Sequence, residues 1–157
     1  MLRNFSILII ILMCSRFIGL PANFTPLFAM AIFIPRLTES RLAQFIPAAI
    51  LIITNLFLEP VNNFIFFSMI FVFMCAPIIS KSINNLLLST VTSVLVWHLV
   101  VNGSIWLIGD VSLLEVYTAA IPFDFRLLIS TSLYIAIFYF SEQMYLKEKL
   151  INHNQNA

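Results

Sequence analysis

Glycine, charge and cysteine are what this chain has least of. Three glycines in 157 residues leave no Gly-rich phosphate loop. Charged residues make up 10% of the chain and the formal net charge is +1. There is thus no basic face to displace counterions, and nucleic acid is excluded as a partner. The two cysteines, Cys14 and Cys75, both lie inside apolar runs. They read as packing thiols, not as a disulfide framework or half of a Cys/His ligand set. No nucleophile, metal set or carboxylate pair is in view, so no catalytic residue, metal site or cofactor is expected and the chain does not read as an enzyme.

What is present is apolar. Hydrophobic residues reach 61%, sixteen of them phenylalanine, and the mean hydropathy is +1.02. This is far outside the soluble range and predicts a polytopic membrane protein, its first partner the lipid bilayer. Apolar runs fall at residues 2–20, 24–35, 42–58, 64–80, 85–101 and 126–144. The fold expected is therefore all-α, a single six-helix transmembrane bundle. Its second helix is short, bracketed by Pro26 and Pro35, and must tilt, pack inside the bundle or thin the bilayer. The first run lacks a small-residue cleavage site and reads as retained. Residues 103–125 make a long connection read as a lid-like loop on the outer face, with a short helix from Ser112 to Ala120. Residues 152–157 form a polar tail.

Basic residues recur at alternate ends of these runs: Arg3, then Arg36 and Arg41, then Lys81, then Lys147 with Lys149. The opposite loops carry Glu59, Asp110, Glu115 and Asp124. By the bias of Lys and Arg toward the cytoplasm, both termini are expected to be cytoplasmic. Costly polar groups then gather in the outer half of the bundle. Arg16 lies near the end of the first run, in position to pair with Glu59, to meet an anionic ligand group, or to snorkel to lipid phosphate. Asn23 opens the return. Asn55 and Glu59 are four apart and share a helix face, as do His98 and Asn102. The asparagines serve either as glue between helices or as ligand groups. His98 is a structural histidine bonded to a neighbour, a proton relay or a ligand contact. Trp106 is an interfacial anchor or a stacking platform.

Several strings occur in a particular order. The stretch from Arg16 to Pro26 contains Asn-Phe-Thr-Pro, and Leu27-Phe-Ala-Met-Ala-Ile-Phe33 follows it. Phe45-Ile-Pro47 comes next, then Asn102 with Trp106, then Tyr117-Thr-Ala-Ala-Ile-Pro-Phe123. In these the chain resembles an uncharacterised family of small bacterial integral membrane proteins, themselves similar to the substrate-binding (S) components of energy-coupling factor transporters. The resemblance implies a six-helix protein of the bacterial cytoplasmic (inner) membrane that captures a small vitamin-like molecule from outside. It also implies an energising module of one membrane scaffold and two ATPases as partner. On that reading Arg16, Asn23, Asn55, Glu59, His98, Asn102 and Trp106 line an outward-facing pocket. The alternative is a small accessory or structural subunit of a larger membrane complex, whose polar groups only hold helices together.

Overall fold

The computed structural model describes residues 10, 13–19, 23–58 and 60–155, with side chains as far as Lys147. Among these residues the chain is helical and contains no strand. Three helices are long and apolar enough to cross a membrane: Asn63–Ser82, Leu86–Ile108 and Leu113–Lys147. The chain is accordingly an all-helical membrane protein. Among the described residues these three are accompanied by the shorter apolar helices Pro26–Leu37 and Ile46–Asn55. The first expected crossing, residues 2–20, lies largely outside the described residues.

The organising element is α1 (Pro26–Leu37), and all but its last two residues are buried in the bundle. Every residue from Pro26 to Pro35 is buried. A helix that is apolar all round belongs in a core, and at about 18 Å its twelve residues fall short of a ~30 Å hydrocarbon slab. Pro26 at the first helical position suits its fixed φ and its missing N–H. Ala29 and Ala31 are wholly buried, and such small side chains let neighbouring helices approach closely.

The run at 42–58 divides. α2 (Arg41–Gln44) stops at Phe45, and α3 (Ile46–Asn55) starts with Pro47 in its first turn. Pro47 has no N–H to give to the carbonyl of Ala43, and the run breaks at Phe45, one turn before α3 is under way. α4 (Asn63–Ser82) is capped by the Asn62 side chain, which accepts from Phe64 N at 2.9 Å. α5 (Leu86–Ile108) is capped likewise by Asn85, which accepts from Leu88 N at 3.0 Å. Both match the preference of asparagine for N-caps.

The largest correction concerns residues 103–125, expected to be a lid-like loop. They are instead the end of α5, a four-residue connection at 109–112, and the start of α6 (Leu113–Gln155). Gly103 stays inside α5, and Pro122 stays inside α6. Membrane helices tolerate such residues because neighbours and hydroxyls satisfy the freed backbone groups. Ser112 and Glu115 form a capping box at the start of α6: Ser112 N donates to Glu115 Oε2 at 3.1 Å, and Glu115 N to Ser112 Oγ at 3.3 Å. The predicted helix at 126–144 is thus the middle of a 43-residue helix, which also takes in most of the expected polar tail. At about 65 Å it exceeds any bilayer core.

Aromatic rings tie α1 to its neighbours. Phe28 meets Phe73 of α4 at 5.2 Å and Trp97 of α5 at 5.7 Å, while Phe33 meets Phe138 of α6 at 5.8 Å. At the end of α1, Arg36 gathers the carbonyls that close α4. It donates to Ile83 O at 2.7 Å, Asn84 O at 2.9 Å and Ser80 O at 3.2 Å. Those carbonyls have no intrahelical partner, and the guanidinium fork satisfies several together. Past Phe138, α6 runs on beyond this end of the bundle and exposes Phe140, Met144 and Tyr145.

Candidate functional site

The charged heart of the protein lies where α5 faces α6. His98 and Asn102 are four apart on α5 and share a face. Opposite them, eleven residues into α6, stands Asp124, 7% exposed. Asp124 Oδ2 accepts from His98 Nδ1 at 2.7 Å and from Asn102 Nδ2 at 2.8 Å. A carboxylate only accepts, so the His98 proton that this contact uses sits on Nδ1. Asn102 Nδ2 is also 3.2 Å from Nδ1, and both donors converge on the one oxygen. Asp124 Oδ1 has no hydrogen-bond partner among the described residues.

Tyr117 fixes the imidazole from the other side. Its ring meets His98 edge-on at 5.1 Å, and its hydroxyl donates to Leu99 O at 2.7 Å. This approach depends on Gly103, where a Cβ would stand 3.1 Å from the Tyr117 hydroxyl oxygen.

Beside this group lies a partly open cavity of about 600 Å³. Trp97, Val101, Asn102 and Asp124 form its buried floor, and Val111 and Glu115 its exposed rim. Asn23 contributes to the wall from the turn before α1, held in the left-handed region with φ 65°. Asparagine tolerates that conformation better than most residues. Ser130 of α6 fastens the turn by donating to Asn23 O at 3.2 Å.

Of the residues singled out in the sequence, Asn23 and Asn102 line the cavity, whereas His98 is bonded to Asp124 and is not itself part of the lining. Asn55 ends α3 half-buried and does not line the cavity, and Trp106 is 38% exposed near the end of α5, also away from it. Arg16 is half-buried, with no hydrogen-bond partner for its Nε among the described residues, and is not part of the cavity wall. Glu59, expected beside Arg16, lies outside the described residues. Because α5 continues to Ile108, His98 stands about 15 Å from the helix end, not close beneath a membrane surface.

Sequence reasoning missed Asp124 as a site residue, because it fell in the supposed loop. The available signal was a lone carboxylate in the apolar string Ile121-Pro-Phe-Asp-Phe125, since an intramembrane acid calls for a partner or a function. Among the described residues no group of three His, Cys, Asp or Glu side chains is placed to hold a metal ion. No curated protein and no solved structure is found to match the chain. Residues 2–153 match DUF6580, a family of unknown function, and the chain belongs to that family.

Proposed function

We propose that this chain is a membrane substrate-capture subunit that holds a small molecule in the cavity between α5 and α6. The observation that carries the proposal is the cavity itself. At about 600 Å³ it falls in the range of small-molecule sites, mostly apolar with a few converging polar groups. An ionisable pair within apolar helices marks the same place. The basic residues Arg36 and Lys81 lie at one end of the bundle, and Glu115 and the cavity rim lie toward the other. This polarity supports a cytoplasmic-membrane protein with six crossings, cytoplasmic termini and a pocket that opens outward. In that setting the chain resembles an energy-coupling factor S component, and uptake would be driven by a scaffold with two ATPases.

One observation favours a second reading, in which the chain is an accessory subunit without a ligand. Asp124 is already bonded across helices by His98 and Asn102, as polar glue is in membrane bundles. Organic extraction of the purified protein, followed by mass spectrometry, separates the two readings when an unrelated membrane protein is purified in parallel as a blank. Capture predicts one small molecule enriched near one per chain. Recovery of lipid and detergent alone rejects it.

A further inference from the structure

We propose, resting on the capture reading above, that the cavity takes an amphipathic organic cation. A protonated amine or amidinium would sit on Asp124 Oδ1, and its apolar body would lie against Trp97, Val101 and Met69. Three observations converge on this class.

The charged side chains that line the cavity are Asp124 and Glu115, both acidic, with no Lys or Arg among the described lining residues. Arg126 is turned to the Phe123 ring, 5.7 Å from its centroid, and is not part of the lining. Inside the enclosure the Asp124 carboxylate favours a cation over an anion, and Glu115 adds a second, solvent-screened negative charge at the rim.

Asp124 is also half committed. His98 and Asn102 both donate to Oδ2, which leaves Oδ1 of a nearly buried carboxylate without a partner among the described residues. A neutral, donor-poor ligand would close Oδ1 off from water without supplying a donor, which is costly. An ammonium or amidinium supplies a charge-assisted bond instead.

The remainder of the wall suits an organic body better than a bare ion. A metal ion needs several oxygen, nitrogen or sulfur ligands, and no group of three His, Cys, Asp or Glu side chains is placed to supply them among the described residues. Apolar and aromatic side chains suit an organic body. Glu115, at the exposed rim with Ser112 on its Oε2, places the second acid where an entering cation passes.

The test compares three probes of one shape and different charge: naphthylmethylamine, naphthylmethanol and naphthoate. Calorimetric titration of the purified full-length protein in a neutral detergent reads the affinity of each. Titration into protein-free micelles of the same detergent serves to subtract partitioning. The amine should bind about 10- to 100-fold tighter than the alcohol, naphthoate weakest of all, and Asp124→Asn should bring the amine down to the alcohol's level. The wild-type charge series carries the test even if Asp124→Asn does not fold. Equal binding of amine and alcohol, or tighter binding of naphthoate, overturns the cation class while leaving capture standing. Failure of all three probes overturns the class as stated, and the extraction experiment then decides separately whether capture fails with it.

Discussion

Replacing His98 by phenylalanine is the sharpest probe of the α5–α6 contact. The ring and its edge-on packing with Tyr117 are kept, while the 2.7 Å bond to Asp124 is lost. A bond to a charged group contributes about 1.5–3 kcal/mol in soluble proteins. Polar contacts between membrane helices average about 0.6 and reach about 1.7 kcal/mol, because the unfolded chain in the membrane finds other partners. Asp124 is 9% exposed at its side chain and His98 22%, which places this pair toward the upper end of the membrane range. Stranding a buried charge entirely costs about 3–5 kcal/mol, but Asn102 still donates to Asp124 here. His98→Phe should therefore destabilise by about 1.5–2 kcal/mol. In a double-mutant cycle with Asp124→Asn the coupling should be about 1–2 kcal/mol. Unfolding in mixed micelles titrated with dodecyl sulfate and followed by circular dichroism measures both. A coupling below about 0.5 kcal/mol would refute the view that this pair holds α5 to α6.

Two further substitutions probe other links of the fold by the same unfolding assay. Arg36→Lys should cost about 1–3 kcal/mol, since an ammonium cannot reach Ser80, Ile83 and Asn84 carbonyls together as the planar fork does. Gly103→Leu should cost about 1–3 kcal/mol by driving Tyr117 from Leu99 and His98. Much of that loss should vanish in a Tyr117→Phe background, where the crowded hydroxyl is gone.

The sequence showed the class of the protein and the ends of its best-capped helices. Asn62 and Asn85 stand ahead of apolar runs, and each caps the helix that follows. The proline-bounded segment at Pro26 was recognisable as short and was counted as a crossing, with burial in the bundle among its possible fates. The lengths of α5 and α6 were hidden for one physical reason. Gly103 and Pro122 interrupt helices in water, but a low-dielectric setting penalises any open backbone and the helices run through them. Ser112-Leu-Leu-Glu115 was the local sign that a helix begins there. That misreading also concealed the site. With residues 103–125 taken as a loop, Asp124 had no depth, and His98 lacked the partner that lies 26 positions on. Asn55 and Trp106 were grouped with His98 by membrane depth alone, and depth does not say which way a helix face turns.

The central claim is that the cavity between α5 and α6 is a ligand site. Native mass spectrometry of the protein released from detergent, wild type beside Ala120→Trp, tests it most directly. Ala120 lines the cavity, and an indole there occupies the space a ligand would need. The account predicts a second mass on the wild-type chain at one copy per chain, absent from the folded Ala120→Trp protein. Wild type and variant carrying the same bound mass, or neither carrying any, would contradict it.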